Sequence, residues 1–262
     1  MHGWVNSAFC RRKLGMPHGL DAKLIVSLTS YPARFATLHL TLKCLLMQTV
    51  AADHTILWIA HGDKSALTPE ILGLQDEGLE IAYCDDLRSY KKIIPTLRRY
   101  PNDYVVTADD DLYYWPNWLA ELLGSYKGMQ QEVVCHRAHH IALGVDHLPL
   151  SYAQWEHETT RQDDSTLTFP TSGAGVLYPP HVFHKAVLNA YAFEWLCPNA
   201  DDVWLYWMMR KNGAIARKIG SVRPLICWAN SQSSGLVLDN VLAGGNDQKI
   251  SKLIATFGWP GN

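Results

Sequence analysis

Residues 104–114 read Tyr-Val-Val-Thr-Ala-Asp-Asp-Asp-Leu-Tyr-Tyr, a β-branched apolar run that stops at three consecutive carboxylates. A short run of this kind suits a central strand buried on both faces, and Asp109, Asp110 and Asp111 stand where such a strand has to end. Three adjacent acids repel one another unless water or a cation intervenes. A divalent cation of the Mn²⁺ or Mg²⁺ kind prefers oxygen ligands, is held by one or two carboxylates and completes its shell with water and substrate phosphates. The triplet therefore points to a nucleotide-diphosphate site, and its plainer alternative is a polar exit from strand to loop.

The flanking sequence alternates strand and helix patterns. Leu-Ile-Val-Ser-Leu-Thr at 24–29 is a strand that runs into Ser30-Tyr31-Pro32-Ala33-Arg34, followed by a helical pattern with Leu38, Leu42, Leu45 and Leu46 on one face. Residues 54–60 form the next strand, with a short helix after Pro69, and residues 79–83 a third that leads to Asp85 and Asp86. A helix over 90–99 and a break at Pro101-Asn102 then precede the acidic strand. Such alternation predicts an α/β fold with a mostly parallel, doubly wound sheet. In the usual 3-2-1-4 order the first and fourth strands are neighbours, and ligands bind at that switch point. The rule brings the loop at 31–34, the acids at 109–111 and the pair Asp85-Asp86 to one sheet edge. Neither a Walker sequence nor a GxGxxG follows the first strand, which excludes the usual P-loop and dinucleotide fingerprints.

Beyond residue 115 the pattern is less regular. A helix over 116–126, a strand over 132–135, a His-rich and aromatic loop over 137–164, and a strand over 168–178 interrupted by Ser172-Gly173-Ala174-Gly175 are expected. Pro179-Pro180 should open a helix through Asn189, and a further helix begins at Asp201-Asp202 and stops at Asn212-Gly213. The tail combines Gly/Ser/Asn turns with a helix around 249–257.

At 262 residues the chain is long enough to bury a substantial core. A net charge of −2 with no long basic run argues against a nucleic-acid binder. The six cysteines are scattered and form no CxxC pair, so they read as buried small hydrophobes in a reducing compartment. No signal sequence precedes a cleavage site and no window is long and apolar enough to span a bilayer, so a cytoplasmic setting is the default. Residues 1–17, with Arg11, Arg12 and Lys13 beside Trp4 and Phe9, read as a frayed end; peripheral contact with the inner membrane is the alternative.

The ordered set of Ser30-Tyr31-Pro32-Ala33-Arg34, Asp86 with Ser89-Tyr90-Lys91-Lys92, Asp109-Asp110-Asp111, Gly173-Ala174-Gly175 and Asp201-Asp202 resembles the GT-A glycosyltransferases. It looks closest to bacterial family-2-like sugar transferases, and its middle also resembles beta-1,3-galactosyltransferase-type sequences. The likeness covers roughly 22–220, and the organisation expected is an extension over 1–21 and a GT-A domain over 22–262, with a nucleotide-sugar half at 22–115 and an acceptor half at 116–262. The resemblance implies a metal-dependent, inverting transfer from a nucleotide-diphosphate donor, a UDP-sugar in preference, to a saccharide or glycolipid acceptor, in bacterial surface polysaccharide or lipopolysaccharide synthesis. It also implies that Asp109 and Asp111 form the DxD pair, Asp111 as the direct ligand of Mn²⁺ or Mg²⁺, and that Asp202, with Asp201 beside it, supplies the catalytic base. Thr29, Tyr31, Arg34, Asp86, Lys91, Asp110, Gly173 and Gly175 would line the donor site. Two departures stand out: an Asp201-Asp202 pair replaces the usual Glu-Asp, and no histidine follows His184, so the carboxy-terminal metal-binding His of many relatives is missing. Asn246 or Asp247 is the candidate substitute.

Each assignment has a structural counterpart. Asp is a common helix cap, lysines on a helix commonly form its solvated face, a glycine pair in a strand is often a bulge, and most of the tryptophans and tyrosines must be core. Trp155 and Trp195, flanked by polar or loop residues, are the candidate acceptor platforms. His136, His139 and His140 carry no recognisable zinc spacing. The rival functions are a nucleotidyltransferase, which typically carries a Gly-rich basic loop after the first strand, and a non-catalytic carbohydrate-binding module, which needs neither acidic cluster.

Overall fold

The computed structural model describes residues 1–229, 231 and 245–261. Nine strands occur among them, mostly parallel and flanked by helices, the expected α/β architecture. The chain divides into two compact units. The first comprises residues 1–125 and 224–234, the second residues 126–223 and 235–262.

The first unit opens with helix α1 (His2–Cys10), whose Val5 and Phe9, one turn apart, are buried. The expected frayed end is thus a packed helix. Strand β1 (Leu24–Thr29) leads through a 3-10 turn at Pro32–Arg34 into α2 (Phe35–Leu46), which buries Leu38, Leu42 and Leu45, and α1 lies against it. Next come β2 (His54–Ala60), α3 (Pro69–Leu72), β3 (Leu79–Cys84), α4 (Ile94–Arg99), β4 (Tyr104–Thr107) and α5 (Trp118–Ser125). The four strands run parallel in the order β3-β2-β1-β4, with Val26 opposite Thr55 and Val106. The predicted switch point between the first and fourth strands is therefore present. The helix expected over 90–99 is split into a 3-10 turn at Arg88–Lys92 and α4. Pro95 explains the break, because its ring would collide with the carbonyl of Lys91 in a continuous helix, whereas it is well tolerated in a first turn.

Three buried polar side chains in this unit are paired across elements. Thr96 Oγ1 on α4 accepts from Trp58 Nε1 on β2 at 2.7 Å and lies 2.6 Å from Ser27 Oγ on β1. One hydroxyl thus ties a helix to two strands.

In the second unit, β5 (Glu132–Cys135) is followed by β6 (Ala138–His140), β7 (Thr168–Pro170), β8 (Val176–Tyr178), α6 (Ala190–Leu196), α7 (Asp201–Lys211), β9 (Ile215–Lys218) and α8 (Gly245–Phe257). Strand β5 pairs antiparallel with β8 and parallel with β9, while β6 and β7 form a separate ribbon. The interrupted strand over 168–178 is accordingly two strands in different sheets. The helix expected after Pro179-Pro180 is reduced to a 3-10 turn at Lys185–Leu188. His181 adopts a left-handed φ of 60°, which no helix can pass, and α6 starts later, where Asn189 Oδ1 accepts the Ala192 N–H. Of the tail, the turns expected over 232–244 lie outside the described residues.

Helix α7 is apolar nearly all round and buried from Val203 to Met209, as a core helix must be. Its aromatic polar atoms all find acceptors: Trp204 Nε1 donates to the Val187 carbonyl, Tyr206 Oη to that of Thr166 and Trp207 Nε1 to that of Gly258. Cys44, Cys135 and Cys197 are buried as expected, whereas Cys10 and Cys227 are exposed. Among the described residues no helix is long and apolar enough to cross a membrane.

One histidine of the expected loop belongs to this core. His139 on β6 stacks on Phe169, lies edge-on to His157 and accepts the Glu158 N–H at Nδ1 (3.0 Å). Burial, with Arg137 and His157 adding repulsion, lowers its pKa to about 3. A histidine buried neutral contributes stability that is complete above the ordinary value of 6.5 and is lost as pH falls towards 3. The expected loss from this group between pH 7 and pH 5 is about 2 kcal/mol. Urea unfolding at both pH values checks it: His139→Asn keeps an acceptor for Glu158 but cannot take up the proton, so its acid destabilisation should be smaller by that amount.

Candidate functional site

The acids at 109–111 follow β4 directly, at the carboxyl ends of parallel strands and beside β1. Their three side chains meet different partners. Asp109 Oδ1 accepts from Lys92 Nζ at 2.8 Å. Asp110 Oδ1 accepts from Arg34 Nη1 at 2.8 Å and its Oδ2 from Ser30 Oγ at 2.5 Å. Asp111 Oδ2 also pairs with Arg34 Nη1. The loop after β1, here the segment from Ser30 to Arg34, is thus joined to the acidic triplet, as the switch-point argument required. Tyr31 Oη accepts from Arg34 Nε at 3.3 Å.

The backbone of the triplet is held as firmly as its side chains. The Asp109 N–H donates to Tyr114 Oη at 2.7 Å, and Thr41 Oγ1 on α2 shares its proton between the carbonyls of Asp110 and Leu112, both at 3.0 Å. The same hydroxyl accepts from Trp228 Nε1 at 2.7 Å, while the Trp228 N–H donates to the Asp111 carbonyl. Thr41 and Trp228 are 187 residues apart, and neither carries a sequence signal beyond its own polar atom. Ser30 was legible as a loop residue but not as a partner of Asp110.

Electrostatics follow from this burial. The Arg34 guanidinium loses solvation, but Asp110 and Asp111 more than compensate and hold its pKa above the ordinary value. Burial pushes the Asp110 carboxyl up to about 6 against the pull of Arg34 and Ser30, with Asp111 and Asp109 adding repulsion. Asp109 is the most open of the three, its side chain 38 % exposed against 9 % and 7 % for Asp110 and Asp111.

Two further donor-site candidates are engaged elsewhere in the same unit. Lys91 is buried and its Nζ donates to Asp86 Oδ1 at 2.5 Å, a bond that lowers the Asp86 pKa. Thr29 Oγ1 donates to the Trp58 carbonyl across the ladder. Lys92, read alongside Lys91 as part of a helix face, is the lysine that reaches the triplet.

In the second unit the structure joins two more of the predicted segments. A 3-10 turn at Ser172–Ala174 lies between β7 and β8, and Gly175 closes it at φ 111°, a conformation that favours glycine. The Ser172 N–H donates to Asp202 Oδ1 at 2.9 Å and its hydroxyl to Asp201 Oδ2 at 3.3 Å. Neither acid is the cap of α7: that position is Ala200, and the two aspartates occupy the first turn, where negative charge suits the helix dipole. The sequence carried both segments but not their contact through Ser172. Asp247 accepts the Tyr152 N–H at 2.6 Å, and Asn246 is buried. The acceptor-platform expectation at Trp155 is corrected, because that ring is buried among Tyr152 and Phe169 with its Nε1 bonded to the Leu150 carbonyl. Trp195 is exposed, with Lys252 Nζ 5.6 Å from its ring centre.

Among the described residues no group of three His, Cys, Asp or Glu side chains is placed to hold a metal ion. The donor chemistry of the triplet nevertheless fits a hard divalent cation, since its side chains offer carboxylate oxygen alone and one or two such ligands suffice when phosphate and water complete the shell. Asp109 and Asp111 are the residues that would hold it.

No family model matches the chain, and no curated protein matches it. Solved structures do. TarS of S. aureus is similar over 78 % of this chain and 59 % of its own, with a TM-score of 0.47 and 14 % identity. Glucosyl-3-phosphoglycerate synthase of Mycobacterium tuberculosis, solved with Mn²⁺, UDP and phosphoglyceric acid, is similar over 52 % and 46 %, with a TM-score of 0.33 and 15 % identity. The chain thus spans less than two thirds of either. The 4-diphosphocytidyl-2C-methyl-D-erythritol synthase of Anaerococcus prevotii is similar over 87 % and 96 %, with a TM-score of 0.48 and 12 % identity. The structural neighbours therefore include both glycosyltransferases and nucleotidyltransferases, all at low identity.

Proposed function

We propose that this protein is a metal-dependent, inverting glycosyltransferase that moves a sugar from a nucleotide-diphosphate donor, UDP in preference, to a saccharide or glycolipid acceptor of bacterial surface polysaccharide. The observation that carries the reading is the acidic triplet at the switch point of a parallel sheet, joined to the loop after β1 by Arg34. Ligands bind at such points, and a diphosphate needs cationic groups there.

Within this reading Asp109 and Asp111 hold the Mn²⁺ or Mg²⁺, which when bound neutralises charge on the departing diphosphate. Arg34 pairs with Asp110 and Asp111 and orients them, so its part in donor binding is that of a positioning residue. Tyr31 and the Asp86–Lys91 pair border the nucleotide. Asp202 accepts the proton of the acceptor hydroxyl as it attacks the anomeric carbon, while Asp201 and Ser172 fix the turn whose glycines, Gly173 and Gly175, let the donor sugar approach backbone. Trp195 offers a stacking face to the acceptor.

Three measurements test the assignment. Asp111→Asn keeps an acceptor for Arg34 but weakens the metal ligand; calorimetry with UDP should show strong Mn²⁺-dependent affinity in the wild type and its loss in the variant, and equal affinities would remove the metal site. Arg34→Ala leaves two buried carboxylates without their cation, for which about 3–5 kcal/mol of destabilisation is expected, read by urea unfolding; an exposed pair would give less than about 1 kcal/mol. Asp202→Asn retains the oxygen that accepts the Ser172 N–H, so the fold and UDP binding should persist while turnover falls roughly 10²–10⁴-fold, the usual worth of a general base. Wild-type turnover in that variant would make the acidic pair structural. A screen of nucleotide sugars against nucleoside triphosphates as donors separates sugar transfer from nucleotidyl transfer.

A further inference from the structure

The first unit carries a surface whose composition the donor site does not explain. Leu14 is 100 % exposed, Met16 68 % and Trp4 50 %. These side chains are not on a loose end. The Met16 N–H donates to the Thr49 carbonyl and the Met16 carbonyl accepts the Ala51 N–H, each at 2.9 Å. Gly15 lies so close to this backbone that a Cβ would stand 2.6 Å from Ala51 N, so the segment is seated in a slot only glycine fits.

The segments that carry the exposed apolar groups are tied to one another through backbone bonds and ring contacts. The Thr49 N–H donates to the Pro116 carbonyl; next to Pro116 is Trp115, 38 % exposed, whose ring packs edge-on against Tyr113 at 4.9 Å, and Tyr113 meets Trp4 at 5.9 Å. Two exposed basic side chains, Arg11 and Lys13, lie in the same segment as Leu14 and Met16. Arg11 directs its guanidinium to Ser7 of its own helix, and among the described residues neither Arg11 nor Lys13 has a carboxylate partner, whereas Arg12 is paired with Glu77.

We infer that this face, built from Trp4, Arg11, Lys13, Leu14, Met16 and Trp115, docks on an anionic lipid surface. Indole rings and long apolar side chains partition into the headgroup region, and each nearby Lys or Arg adds attraction to anionic headgroups. The main competing occupant is a second copy of the chain. A symmetric contact would set the same patch against itself and gather the Arg11 and Lys13 side chains of both copies in one interface, where like charges repel. An anionic surface meets both charges favourably and has no such penalty.

Flotation of the full chain with vesicles of phosphatidylcholine alone, or of phosphatidylcholine mixed with phosphatidylglycerol, tests the proposal. Binding to the mixed vesicles only, weakening as salt is raised, is expected. Arg11→Ala and Lys13→Ala should each reduce the partition coefficient roughly fivefold, and Leu14→Glu with Met16→Glu should abolish flotation while circular dichroism stays unchanged, since both side chains face solvent. Equal binding to neutral vesicles, no binding to either, or flotation unaffected by these substitutions overturns it. So does a dimer in sedimentation that Leu14→Glu dissolves without any vesicle binding.

Discussion

Three carboxylates in succession at the mouth of a buried strand set the constraint on which the first unit depends. Left alone they would repel one another and stay hydrated, and β4 would have no reason to end inside the protein. Arg34 resolves this by placing one guanidinium nitrogen against both Asp110 and Asp111 in surroundings that exclude most water. A pair so buried is costly to break because either partner left alone is a desolvated charge. The pairing also fixes geometry: with Arg34 on the triplet, the turn after β1 must lie against the end of β4, and that juxtaposition is the switch point.

Neutral hydrogen bonds complete what the charges begin. Thr41 touches two carbonyls of the acidic loop and accepts from Trp228, which itself donates backbone N–H to Asp111. A helix, a loop and a segment that returns to the unit late in the chain thereby meet at one hydroxyl. Each such bond contributes only about 1 kcal/mol on balance, but loss of any one would leave a buried carbonyl or indole N–H unsatisfied. Rigidity at the triplet therefore comes from satisfying backbone groups as much as from ion pairing. Asp109, the most exposed of the three acids, is the one this framework leaves most open to solvent.

The second unit uses its acidic pair differently. Helix α7 is buried from Val203 to Met209, so its place inside the unit is dictated by burial, and its charged residues sit in its first and last turns. Asp201 and Asp202 spend that polarity on Ser172, holding the glycine turn between two strands that belong to different sheets. Such an arrangement positions a carboxylate without burying it wholly, since Asp202 is only partly covered.

Much of the fold is legible in the order of the residues. Periodicity locates the parallel strands and the apolar face of α2, because burial on one or both faces imposes a pattern on the residues themselves, and the usual doubly wound arrangement supplies the order β3-β2-β1-β4. The acidic triplet and the pair at 201–202 are visible for a similar reason: consecutive charges rarely fall at the end of an apolar run without a partner. Which partner is a different matter. Lys91 and Lys92 are adjacent and chemically identical, yet Lys91 reaches Asp86 and Lys92 reaches Asp109, a choice made by the 3-10 turn that Pro95 forces. Arg34 reads as a nucleotide ligand because its charge is legible in the sequence but its distance to Asp110 is not. Trp155 and Trp195 each have an acidic neighbour in sequence, and packing against Phe169 buries the first ring while the second stays in solvent. Chain pattern determines where apolar surface and charge lie along each element; contacts between residues far apart in sequence are set by how those elements pack, and those contacts decide which charge is neutralised and which stays exposed.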